Sequence, residues 1–240
     1  PKSGNTWLRF LLFNYRNLLF NPTENSTITF DRLNELQNNV MDRGTTFSNE
    51  IGFPLFYRTH KVHKSPYDLF NKKIFIHRNP LDTLISAYYF YKNRSIPFSD
   101  DPIEIRDKLT DINFYVEYKI SGWLNFYETS VKHADIIINY SKMKKDTELE
   151  LTKLIHFLGW EENLDIINKS VEYSSFNKVK KMGRDNGQKY GNGPKDGSFK
   201  GDFVRSGEEG QFKHEISEET IKFVLSRFPE FNILYPNLID

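Results

Sequence analysis

A chain of 240 residues that is 38% hydrophobic and 15% aromatic buries one substantial core, which excludes a largely disordered protein and sets the expectation of a single domain. Its 33 basic and 32 acidic residues leave a formal net charge of +1, so no global field draws nucleic acid or a membrane, and any anion binding must be built locally. The absence of cysteine removes disulfides and thiolate metal sites and favours a reducing, cytoplasmic setting, and no apolar run reaches membrane-spanning length.

The chain opens on PKSGNTWLRFLL, and residues 7–20 are apolar on most faces, which predicts a buried helix. Its first turn presents free N–H groups and the positive end of the helix dipole to whatever lies beside Ser3 and Gly4. Gly4 allows close backbone approach, Ser3 and Thr6 offer hydroxyls, and Lys2 adds a charge, a combination suited to a phosphate or sulfate. The same residue types also serve as ordinary caps and turns. The segment lacks the Gly-Lys-Ser/Thr ending of the common nucleotide loop. Because the chain begins inside this motif, a strand is expected upstream of it.

Residues 21–56 read as a long irregular connection with one short helix near 31–40. Ile74, Phe75 and Ile76 form a buried strand that Arg78 ends, and Asn79-Pro80 caps the helix that follows. Arg78, with Ser86 eight residues on, makes a second candidate anion site, although Arg78 has Asp82 as an alternative partner. A long amphipathic helix is predicted over 113–132, a strand over 135–140, and helices over 147–158, stopped by Gly159, and over 164–171. Strands alternating with helices imply a parallel sheet covered by helices, with ligands beyond the carboxyl ends of the strands.

Residues 178–205 carry eight Lys or Arg against three Asp, a local net charge of +5, and eight of the 13 glycines fall between Gly183 and Gly210. This segment reads as a mobile, anion-attracting loop. It leads into FVRSGEEGQF, the third candidate anion segment, and a final helix over 217–228 with Glu218 and Glu219 in its first turn.

In this order the segments resemble the sulfotransferases that use 3′-phosphoadenosine 5′-phosphosulfate (PAPS) as donor. PKSGNTW is similar to the family's PKSGTTW loop, HRNPLDTLISAYYF to RNPKDVAVSYYHF, FVRSGEEGQFK to RKGxxGDWK, and INYSKMKKDTELELTKLIHFLG to FYEDMKxxPxxxIxxIxxFLG. The resemblance implies a single α/β domain of P-loop-like architecture with a central parallel sheet flanked by helices. It implies that Lys2, Ser3, Gly4, Asn5 and Thr6 surround the 5′-phosphosulfate. Arg78, Ser86 and Arg205, with Gly207 and the neighbouring Ser206, would hold the 3′-phosphate. Trp7 and Phe176 would flank the adenine, Tyr140 matches the tyrosine of FYEDM, and Ser174 or Ser175 falls where the family has a hydroxyl on the nucleotide. Ser206 stands in place of a basic residue, Gln211-Phe212 in place of Asp-Trp, and Asn5 where many relatives carry Thr.

Transfer to a hydroxyl needs a base that titrates near neutrality, which points to histidine, and six are present. His60, in YRTHKVH, matches the histidine of the family's KTH motif, while Arg58 replaces its lysine. His77, His133, His156 and His214 read as structural, at a strand end, a helix end, a helix face and in a loop. His60 and His63 are three apart, yet neither cysteine nor an HExxH arrangement supports zinc, so no metal is expected.

The expectation is a sulfotransferase with His60, Lys2 and Arg58 as catalytic residues, PAPS as co-substrate and a hydroxyl-bearing small-molecule acceptor. That acceptor is open to alcohol, phenol, sugar or peptide tyrosine. Its pocket is expected to draw on residues 21–56, Tyr88 to Tyr91 and the 178–205 loop. A nucleotide-dependent kinase and a non-catalytic module binding the same nucleotide are the competing readings.

Overall fold

The computed structural model describes residues 2–21, 27–39, 56–59, 70–94, 96–186 and 204–235. The first helix, α1 (Asn5–Phe20), starts two residues before the predicted boundary. Phe10, Leu11, Phe13 and Tyr15 are essentially inaccessible to solvent, and burying each such side chain contributes about 1.5–3 kcal/mol. Two polar residues on this helix are fully satisfied. The Asn14 side-chain oxygen accepts from the Ile28 amide (2.8 Å), and its Nδ2 donates to Ser174 Oγ (3.0 Å). Tyr15 Oη donates to the Glu161 carbonyl (2.5 Å) and accepts from the Asn163 amide (3.1 Å).

The helix expected near 31–40 is shorter and earlier. Thr29 caps α2 (Phe30–Glu35), and the chain then enters strand β1 (Gln37–Asn39), parallel to β2 (Phe56–Arg58). The sequence NELQNNV carries no alternating pattern that would mark a strand, so pairing with β2 decides its conformation. Strand β3 (Ile74–His77) pairs in parallel with β4 (Ile136–Asn139), in the register Ile76↔Ile138 and His77↔Asn139. Arg78 is thus the first residue beyond β3, at its carboxyl end.

Between these strands run α3 (Pro80–Lys92) and α4 (Ile112–His133). Asn79 caps α3 by accepting from the Leu81 and Asp82 amides, as its Asn-Pro pair predicts, and Asp111 caps α4. After β4 come α5 (Tyr140–Lys145), α6 (Thr147–Leu158) and α7 (Leu164–Tyr173). Gly159 ends α6 in the left-handed conformation, at φ 73°.

Residues expected to begin the mobile loop are helical instead, in α8 (Phe176–Asn186), because Val179 and Met182 pack on the core that α1 anchors. The rest of that loop, 187–203, lies outside the described residues, as does most of the 21–56 connection. The final helices are α9 (Phe212–Glu215), which includes His214 where a loop was expected, α10 (Glu218–Arg227) and α11 (Glu230–Leu234).

Two apolar clusters result. One joins α1 and α2 to β3, β4 and α5 to α8, and the other joins α3 and α4 to α9, α10 and α11. No described helix is long and apolar enough to cross a membrane.

Candidate functional site

The carboxyl ends of β3 and β4, the start of α1 and the segment 204–211 enclose a cavity of about 710 Å³. Its wall brings together Lys2, Gly4, Asn5, Thr6, Trp7, Arg58, Arg78, Ser86, Tyr140, Phe176, Arg205, Ser206 and Gly207. These are the positions the sequence singles out, from segments scattered over the whole chain. Ser3 and Ser175 are not on that wall, and Ser174 is fully buried and accepts a hydrogen bond from Asn14. His60 and His63 lie outside the described residues.

The loop before α1 turns through the left-handed region at Lys2 (φ 63°) and Gly4 (φ 100°). A non-glycine residue held there costs about 1–3 kcal/mol and persists only where its surroundings enforce it. Gly4 has no such freedom to lose, since a Cβ would stand 2.6 Å from Tyr140 Cδ2 and 3.2 Å from Ile76 Cδ1. As the residue preceding α1, Gly4 supplies no side-chain cap, and the first turn carries no acidic residue. The amides of that turn therefore have no capping side chain, and the positive end of the helix dipole lies with them.

Seven of the lining side chains are Lys or Arg and two are acidic, against a near-neutral chain. Lys2 Nζ sits 4.8 Å from the centre of the Phe90 ring. Burial first, then the Arg78 and Arg205 charges, push its pKa down to about 8.

Arg78 is 4% exposed. Its guanidinium lies 4.8 Å over the Tyr140 ring, 3.7 Å from Asp82 and in hydrogen-bond contact with the Glu208 carbonyl, while its Nε has no partner. Arg205 stacks 4.2 Å over Tyr89, pairs with Glu215 at 2.9 Å and contacts the Gln211 side chain. Tyr89 donates to the other Glu215 oxygen (2.5 Å). Burial opposes ionisation of Glu215, but these two donors outweigh it and hold the carboxyl below its usual range.

Gly207, at φ 66°, fits under two rings, because a Cβ there would stand 2.7 Å from Phe176 and 3.3 Å from Tyr140 Oη. The Gly207 carbonyl accepts from Tyr140 Oη (2.8 Å) and Lys144 Nζ (3.1 Å). Trp7 meets Tyr140 edge-on at 5.7 Å. Two aromatic faces, Trp7 and Phe176, thus border the basic cavity from different helices.

Sequence reasoning offered Asp82 as a partner for Arg78, and the two do pair, but it missed the bonds from Asp82 to the 207–212 turn and the contact with Tyr235. The buried Asp82 carboxylate accepts from the amides of Gly210 (2.8 Å) and Phe212 (3.3 Å), tying the 207–212 turn to α3. His77 Nδ1 lies 2.6 Å from Tyr235 Oη, which donates to the Arg78 carbonyl (2.9 Å). Burial first, then Lys142, push the His77 pKa down to about 4, so at neutral pH the ring is uncharged. Its Nδ1–H then supplies the hydrogen and Tyr235 passes its own to Arg78. The strand end next to Arg78 hints at this role, but Tyr235 lies far along the chain.

A family model described as a sulfotransferase domain matches residues 1–230. Sulfotransferase 2A2 of Rattus norvegicus is 31% identical over 140 residues, which are 53% of this chain and 45% of that protein. The 3-beta-hydroxysteroid sulfotransferase of Cavia porcellus is 27% identical over 200 residues, 76% of this chain and 62% of its own length. The chain thus spans about half to two thirds of these relatives. A crystal structure of a mouse sulfotransferase complexed with PAP, at 20% identity, superposes with a TM-score of 0.65 over 97% of this chain and 81% of its own. A retinol dehydratase in complex with androsterone and the inactive cofactor PAP superposes at 0.51 with 17% identity, over 74% of this chain and 53% of its own. With the sulfotransferase domain model matching residues 1–230 of its 240, this chain belongs to the sulfotransferase family.

Proposed function

We propose that the chain transfers a sulfuryl group from PAPS to a hydroxyl of a small-molecule acceptor, by in-line displacement that releases 3′-phosphoadenosine 5′-phosphate (PAP). One observation carries the reading: cations from three distant segments, Lys2, Arg78 and Arg205, line one cavity bordered by Trp7 and Phe176. The cavity also spans the junction of the two apolar clusters, which supports reading the chain as one domain.

The donor fits this wall: Arg78 keeps an unpartnered buried Nε, and the first turn of α1 has no side-chain cap. When bound, it supplies a sulfur already attached to a phosphate leaving group. In this reading Lys2, Gly4, Asn5 and Thr6 face the 5′ end, with Ser3 carried beside them in the loop. Arg78, Ser86 and Arg205 hold the 3′-phosphate, with Ser206 and Gly207 supporting the turn. Trp7 and Phe176 sandwich the adenine, Tyr140 braces Trp7, and Ser175 is the hydroxyl nearest in sequence to Phe176. His60 takes the acceptor proton as the new oxygen–sulfur bond forms, and the bond to the bridging oxygen breaks. Lys2 and Arg58 meet the charge that grows on the departing phosphate and the sulfuryl oxygens.

The test is calorimetric titration of the purified protein with PAP and, separately, with adenosine 5′-phosphate. The expected result is micromolar or tighter binding that requires the 3′-phosphate and falls at least tenfold in Arg78→Ala. Saturable ATP binding with no affinity for PAP would overturn the reading in favour of a kinase.

A further inference from the structure

We propose that Arg9, with Asn34, forms a subsite for an oxyanion on the acceptor, so that the hydroxyl compound this chain sulfates carries a carboxylate, phosphate or sulfate. The proposal rests on the sulfotransferase reading above and adds the substrate class.

Arg9 lies one helical turn beyond Asn5 on α1 and lines the same cavity, yet belongs to none of the donor assignments. It is 5% exposed. Among the described residues, its hydrogen bonds leave from Nη2, to the Leu33 carbonyl (3.1 Å) and Asn34 Oδ1 (3.3 Å), while Nε is buried without a partner. No carboxylate pairs with it among the described residues. The other arginines for which a partner has been named differ in this respect: Arg78 has Asp82, Arg94 has Asp100 and Arg205 has Glu215.

A second cation makes the point sharper. Burial first, then the Arg58 charge, lower the Arg9 pKa to about 9. Burying one guanidinium without a counter-ion is costly, and setting another beside it adds to the cost. The cost is recovered when a ligand brings the missing negative charge, and guanidinium is the donor best shaped for a planar or tetrahedral oxyanion.

In the reading above, the donor's own anionic groups already have Lys2, Arg58, Arg78 and Arg205. The cavity wall that includes Arg9 and its partner Asn34 also carries Phe30 of α2 with Val179 and Val204, which offers apolar contact to a carbon skeleton and polar contact at one end. That is the usual composition of a small-molecule pocket.

The experiment titrates the PAP-saturated protein with matched pairs: para-hydroxyphenylacetate against para-ethylphenol, and gluconate against sorbitol. The expected result is that at least one charged member binds tenfold or more tightly than its neutral twin. That ratio should collapse toward one in Arg9→Gln and persist in part in Arg9→Lys. Because each ratio is taken within one variant, a general loss of stability cancels. Equal or absent binding of the twins, or a ratio untouched by Arg9→Gln, overturns the proposal. So does a loss of PAP affinity in Arg9→Gln with the twin ratio preserved, since Arg9 then serves the donor. If the wild type binds no PAP, the sulfotransferase reading has failed, and the twins titrated against the free protein still report on Arg9.

Discussion

The Asp82 carboxylate lies 3.7 Å from the Arg78 guanidinium, and both groups are withdrawn from solvent. The same carboxylate accepts the Gly210 and Phe212 amides, so one side chain sets both a cation of the cavity and the turn that carries Gly207. Burial raises the Asp82 pKa, against the pull of Arg78 and of these amides.

Asp82→Asn removes the charge and one acceptor. Breaking a buried pair by losing one partner costs about 3–5 kcal/mol, and the 207–212 turn loses an anchor as well. The expected outcome is a lower urea midpoint together with weaker PAP binding, read by denaturation and calorimetry on the same variant.

Gly4→Ala places a Cβ 2.6 Å from Tyr140 on a left-handed backbone, a conformation that costs an alanine about 1–2 kcal/mol before any clash. PAP affinity should fall more than tenfold. Gly207→Ala should do likewise through its 2.7 Å approach to Phe176. Gly122→Ala is the control. A Cβ there meets nothing within 4 Å in the middle of α4, and the helix should gain about 0.5–1 kcal/mol.

Donor binding should depend on pH through Lys2. In the free protein this ammonium has its pKa lowered to about 8 by burial, Arg78 and Arg205. A bound anion favours the charged form and raises that value, so affinity is complete below pH 8 and declines as pH rises above it. Titrations of PAP across neutral to alkaline pH should show this decline. Lys2→Arg should flatten it over the same range, because the guanidinium stays charged.

His60→Ala should lower kcat by about 10²–10⁴, the usual worth of a positioned base, while PAP titrates much as in the wild type. Turnover equal to the wild type would remove His60 from the mechanism.

Much of the local structure is legible in the sequence because its causes are local. The apolar run after Thr6, the Asn79-Pro80 pair and Gly159 act through burial periodicity, a fixed φ and a left-handed cap, and α1, α3 and α6 follow them closely. Helix α8 and strand β1 are not legible in this way. Gly183 and a run of lysines suggest a loop, but Val179 buries against the core, and β1 forms only because β2 lies beside it.

The sequence by itself marked three candidate anion-binding segments around Lys2, Arg78 and Arg205, because residue type and spacing encode donors and turns directly. Only the tertiary structure decided that they line one cavity, that Ser174 bonds to Asn14, and that Arg9 stands in that wall with no carboxylate partner among the described residues. The physical reason is separation along the chain. Asn14 and Ser174 are 160 residues apart, and Asp82 and Gly210 are 128 apart. Such contacts leave no periodic trace in the sequence and arise only when packing of the two apolar clusters brings the segments together.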